Sequence, residues 1–174
     1  VVNVTDPEKT SSLQSLACID HGWSAVHQAT LLFVVDANNV LLIRKKRGLG
    51  AGKINGPGGK LDTGETPVQC AIREVSEELC IDAADPEYRG QLKFQFIDGY
   101  SIHVHVFLSH GYSGEPTETD EAVPLWFPLN EVPYGEMWAD DVVWLPQVLA
   151  GASVDGRFLF DADRLLEYDT TFTR

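Results

Sequence analysis

Glu74, Glu77 and Glu78 sit at the spacing i, i+3 and i+4. On a helix those positions share a face, where like charges repel by a few tenths of a kcal/mol per exposed pair. A hard divalent cation reverses the sign. Mg2+ or Mn2+ is held by carboxylates and completes its shell with waters and phosphate oxygens. Upstream the charge pattern inverts: from Ala37 to Leu61 there is no acid, yet six of the thirteen Lys and Arg residues (Arg44, Lys45, Lys46, Arg47, Lys53 and Lys60) fall there. A basic strip followed by an acidic one suits an anionic ligand gripped partly through bound cations.

These groups need elements to position them. His27 to Val35 is rich in β-formers, and Asp36-Ala-Asn-Asn39 turns it into a second apolar run from Val40 to Ile43, which predicts a hairpin. Between Gly48 and Gly64 lie seven glycines and Pro57, a composition that lets the backbone approach a ligand closely. Thr66-Pro67 then opens a helix, with Thr as cap and Pro in the first turn. Val68, Ala71, Ile72, Val75 and Leu79 recur at helical spacing and predict its buried stripe, with the three glutamates on the other face. Gln91 to Phe96 and Ile102 to Leu108 flank Asp98-Gly99 as a second hairpin. Ala122 to Leu129 is a further strand, Asp140 to Leu149 a second helix, and Phe158 to Phe160 with Leu165 to Tyr168 ends the chain.

From Gly59 the chain reads G-KLDTG-E-TPVQCAI-R-E-V-S-E-E-L-C-I. This closely resembles the Nudix box, in which a Gly, a Glu and an Arg-Glu-x-x-Glu-Glu core recur at fixed spacing. The resemblance implies an α/β fold, an α/β/α sandwich around a curved mixed β-sheet, with the metal helix and the helix 140–149 on opposite sides. It implies Gly59, Glu74, Glu77, Glu78 and Glu121 as metal-site residues, Arg73 as the group orienting a glutamate, and Mg2+ (or Mn2+) as cofactor. Cys80 stands where the family usually has glycine, at a position where a positive φ would disfavour a Cβ.

The similarity extends over residues 27 to 169. Lys45-Lys-Arg-Gly, Asn-Gly-Pro-Gly-Gly-Lys60, Glu118-Thr-Asp-Glu121 and Met137-Trp-Ala-Asp-Asp141 are similar to the branch that hydrolyses oxidised purine nucleoside triphosphates. That likeness implies Asn55, Asp140 and Asp141 as partners of the purine edge, Trp138 as its stacking surface, Phe94 as a pocket wall and Lys45 as a phosphate contact. Adjacent buried carboxylates raise one another's pKa, and a protonated carboxyl donates where an ionised one only accepts. Leu49, Ile54, Pro57 and Ile102 depart from the branch at the pocket rim. A hydrolase of another nucleoside diphosphate derivative, or a sensor that binds without hydrolysis, are the alternatives; the complete acidic helix argues against the sensor.

Acids outnumber bases 26 to 13, a net charge of −13, which excludes general binding to a nucleic-acid polymer or an anionic membrane. The length fits one domain, expected over residues 25–174, preceded by an extension, residues 1–24, expected to pack loosely. No stretch approaches the roughly 18 apolar residues of a membrane span, and no signal-peptide pattern opens the sequence, so a cytoplasmic protein is expected; a monomer is expected as well. The three cysteines have no metal-ligand spacing and are expected to be reduced.

Overall fold

The structure, a computed structural model, describes residues 14–174. The first hairpin forms as expected from β1 (His27–Asp36) and β2 (Asn39–Lys45), joined through Ala37 at φ 52°. β1 also runs parallel to β6 (Ser101–Ser109), which pairs antiparallel with β5 (Glu87–Phe96) across the second expected hairpin. On the far side of β5 lies β9 (Ser153–Asp161), in parallel, then β10 (Arg164–Thr173). At the opposite end β8 (Ala122–Pro128) pairs along the whole of β2. A separate small ribbon joins β4 (Asp82–Ala84) to β7 (Gly111–Ser113), an element without a periodic signature in the sequence.

The sheet forks where the site will form. β1 and β2 pair only at their hairpin end, from Val34–Leu41 to Asp36–Asn39. Further along, β2 takes β3 (Ile54–Asn55) as partner instead. Into the gap beside β1 runs the glycine-rich segment: Thr30 N donates to Gly59 O and Leu32 N to Pro57 O, both at 2.9 Å, while Leu61 N donates to Gln28 O at 3.0 Å. Gly58 makes that approach possible, since a Cβ there would sit 2.0 Å from Thr30 O.

Helix α1 (Pro67–Leu79) begins with the full capping box: Thr66 Oγ1 accepts from Gln69 N, and Gln69 Oε1 accepts from Thr66 N. Its Ala71, Val75 and Leu79 bury against Leu32 and Val34 on one face of β1. Phe33 and Val35, on the other face, belong to the cluster with Trp144, Leu145 and Val148 of helix α2 (Asp141–Leu149). A strand covered on both faces needs a continuous apolar run, which is what β1 has. The result is the α/β/α sandwich expected from the sequence. Val68, assigned to the buried stripe of α1, is exposed instead, and Ile72 is only half-buried.

The expected extension divides at the edge of the described residues. Residues 1–13 lie outside them. Leu16–Ile19 form a 3-10 turn with Ile19 buried; Trp23 Nε1 donates to Gln95 Oε1 at 2.9 Å, and Arg157 pairs with Asp20 at 2.7 Å. Among the described residues no helix is long and apolar enough to cross a membrane.

Candidate active site

The fork opens into a cavity of about 600 Å3. Its polar end is built by α1, the glycine-rich segment and the loop before β8. Glu78 is buried there, with Oε2 accepting from Gly58 N at 2.9 Å. Burial pushes its carboxyl up to about 7; the Gly58 amide and Lys45 pull it down, and the charges of Glu74 and Glu121 push it up. Glu74 is raised as well, first by burial, with Arg73 opposing and Glu77 and Glu121 adding repulsion. Glu74, Glu78 and Glu121 thus crowd one another electrostatically, and all three line the cavity beside Lys45 and Gly59. Gly59 has no room for a side chain: a Cβ would lie 2.3 Å from Glu74 Cδ.

Arg73 faces the back of this cluster. Its guanidinium donates to Glu65 Oε1 and Oε2 and to Glu74 Oε1, each at 2.8 Å, and to Glu77 Oε2 at 3.1 Å. That grip holds Glu65 at a pKa of about 2 and orients Glu74. Glu77 is exposed and does not line the cavity, although Arg73 ties it to Glu74. The three glutamates share one face of α1 as expected, but unequally: Glu78 is buried with the Gly58 amide on its carboxylate, while Glu77 is exposed and bonds Arg73 beside Glu74. Among the described residues no three Asp, Glu, His or Cys groups converge as tightly as a closed metal cage; Arg47 is paired with Glu121 instead. The Gly59 carbonyl is also committed, accepting from Thr30 N.

The apolar end lies under α2. Asp140 and Asp141 are both only 3% exposed. Asp140 Oδ2 accepts from Trp144 Nε1 at 2.8 Å, and Asp141 Oδ2 from Trp138 N at 3.1 Å. Burial raises both carboxyls, and the neighbouring Asp140 raises Asp141 further. Two such groups favour a state in which a proton stays on the pair near neutral pH. Asp140 was expected inside the helix; it flanks the first turn, and its carboxylate binds Trp144 rather than capping.

Trp138 stands half-buried, edge-on to Phe96 at 6.4 Å and Phe160 at 5.8 Å between ring centroids, with Lys53 Nζ 5.2 Å from its ring. Gly50 approaches so closely that a Cβ would meet Trp138 Nε1 at 2.8 Å. Phe94 stacks on Phe158 at 5.1 Å and borders the cavity, as does Asn55, whose Oδ1 accepts from Gly56 N. Tyr100 and Phe160 also line it without having been singled out, as does Arg47 of the basic strip. Phe160 carries a usable signal, the same i, i+2 aromatic alternation as Phe94 and Phe96. Tyr100 carries none, since it follows a turn whose direction only the sheet decides.

Comparison with known proteins agrees with this geometry. A family model described as the NUDIX domain matches residues 25–148. The chain is 44% identical over 141 residues to the oxidized purine nucleoside triphosphate hydrolase of Danio rerio, covering 80% of this chain and 90% of that protein. It is 39% identical over the same length to its namesake in Mus musculus, with the same coverage. Among solved structures, a MutT protein from Bacillus halodurans superposes with a TM-score of 0.74 at 28% identity, covering 83% of this chain and 97% of that one.

Proposed function

The chain belongs to the NUDIX family, and on that premise we propose that it hydrolyses oxidised purine nucleoside triphosphates, of the 8-oxo-dGTP and 2-hydroxy-dATP kind, to monophosphate and diphosphate. One observation carries the reading: a single cavity joins a crowded carboxylate cluster at one end to an aromatic slot with a buried Asp pair at the other. A purine with a charged tail has the same division. The net charge of the protein does not oppose this, because Lys45, Arg47 and Lys60 line the cavity locally.

The residues fit a hard divalent cation. Glu74 and Glu78 are forced together with Glu121 at an energetic cost that a cation would offset, and carboxylates are the donors Mg2+ or Mn2+ selects. Backbone oxygens can join them. The carbonyls of Pro57 and Gly59 both face β1, so by the alternation of an extended strand the intervening Gly58 carbonyl turns away from it and is a better donor than that of Gly59. When bound, the metal would neutralise adjacent phosphates and lower the pKa of a water. Arg73 holds Glu74 in place, Lys45 reaches phosphate oxygens, and Glu77 acts from outside the cavity, through Arg73.

At the other end Trp138 offers a stacking face worth about 1–3 kcal/mol on the scale of base–aromatic contacts. Asp140 and Asp141 meet the base edge with one proton between them, able to donate as well as accept. Water attack on one phosphorus breaks one anhydride bond, releasing diphosphate. The test is steady-state kcat/KM over a panel of ordinary and oxidised purine triphosphates with Mg2+, with products identified. The reading expects oxidised purines to lead and Glu74→Gln to bind nucleotide while losing turnover by orders of magnitude. Equal rates across the panel would remove the substrate assignment, and full activity in Glu74→Gln would remove the mechanism.

A further inference from the structure

Strand β6 has two faces with different tasks. Ile102 and Val104 look into the nucleotide cavity. His103 and His105, alternating with them, stand on the opposite face, with ring centroids 4.5 Å apart and neither ring fully covered. Neither belongs to the nucleotide site.

The hydrogen bonds of His103 fix which of its ring nitrogens carries the lone pair. Gln91 Nε2 donates to Asp155 Oδ2 at 2.9 Å. A carboxylate accepts only, so the Gln91 amide nitrogen must face Asp155 and its carbonyl oxygen must face His103. That oxygen lies 2.8 Å from His103 Nε2. It too accepts only, so the proton sits on Nε2 and Nδ1 is left with its lone pair. His105 Nε2 lies 3.2 Å from the side-chain amide of Gln28, whose two ends no second hydrogen bond among the described residues tells apart, so His105 can present either ring nitrogen. Burial holds both imidazoles below their usual pKa, and for His103 the neighbouring His105 and Lys93 add to it, against Asp155. Both are therefore neutral, the ligating form, at neutral pH. An imidazole whose second nitrogen donates to a carbonyl, itself held by a carboxylate, is the arrangement that orients histidine ligands around metals.

We propose that His103 and His105 form a two-imidazole chelate for a borderline transition-metal ion, of the Ni2+, Cu2+ or Zn2+ class, on the outer face of the sheet. Water completes the coordination. Nitrogen ligands favour such ions over Mg2+, so this site and the carboxylate cluster select different metals. The proposal is independent of what the cavity binds.

The experiment is calorimetric titration of the full chain with NiCl2 in excess MgCl2, repeated for His103→Gln, His105→Gln and the double variant. Chelation expects one Ni2+ per chain, a loss of roughly tenfold or more in affinity from either single change, and little further loss in the double. Because the changes lie behind the sheet, Mg2+-dependent hydrolysis serves as the control for folding. Single variants within twofold of the parent overturn the proposal, as does a double variant whose loss is the product of the two single losses, which marks independent imidazoles.

Discussion

Replacing Glu78 by Gln should make the metal-free protein more stable, by an amount that depends on pH. The folded structure raises this carboxyl from 4.5 to about 7, chiefly by burial. At 1.36 kcal/mol per pKa unit, that displacement is worth roughly 3 kcal/mol. The sign follows from which state holds the proton. Below the unfolded value near 4.5 the group is protonated in both states and costs nothing. As pH rises toward 7 the unfolded chain ionises first, so stability falls; above 7 the folded state carries the whole penalty. Gln is isosteric and neutral: its Oε1 can still accept from Gly58 N, and its amide can donate toward the neighbouring carboxylates. Urea unfolding in EDTA, from pH 4.5 to 8.5, should therefore show a difference between Glu78→Gln and the parent that is small at the acid end and grows to as much as about 3 kcal/mol at the alkaline end. A pH-independent difference, or a destabilised variant at pH 8, would refute the reasoning. The same variant should lose its Mg2+-dependent turnover, because the buried carboxylate charge that weakens the free protein is what a cation would compensate.

Three further expectations follow from particular contacts. Cys80 ends α1 at φ 59°, a left-handed conformation costly for a side chain, so Cys80→Gly should raise the urea midpoint by an amount equal to roughly 0.5–1 kcal/mol; an unchanged or lower midpoint would count against it. Gly59→Ala places a Cβ 2.3 Å from Glu74 Cδ, and displacing that carboxylate should weaken the Mg2+ dependence of hydrolysis more than the stability, read by titrating activity with metal. Asp141→Asn removes one member of the proton-sharing pair and should alter the ranking of purine triphosphates in kcat/KM; an unchanged ranking takes Asp141 out of base recognition.

Much of the local structure was legible because it is written in neighbouring residues. Thr66 and Pro67 specify where α1 begins, and the apolar runs around Asp36–Asn39 and Asp98-Gly99 specify two hairpins. The carboxylate cluster was legible through spacing, yet spacing treated Glu77 and Glu78 as equals. Which of the two turns inward depends on the Gly58 amide, twenty residues away, meeting one and not the other. The fork between β1 and β2 has no periodic signature either, since it arises from a segment inserted laterally by three hydrogen bonds. The extension illustrates the same limit: Ser, Thr and Pro made it look detached, whereas Trp23 finds Gln95 and Asp20 finds Arg157 only once the sheet exists.

The inserted segment also makes the site's assembly observable. The amides of Thr30 and Leu32 bond to Gly59 and Pro57 and not to a neighbouring strand. Their exchange with deuterium therefore reports whether the glycine-rich wedge is seated, while the amides of the β1–β6 ladder report whether the sheet itself is intact. A protein in which the first pair exchanges faster than the second is one whose core is folded and whose catalytic end has come open. That state would escape detection by unfolding curves, yet it is the one in which Glu74 and Glu78 lose the backbone that confines them.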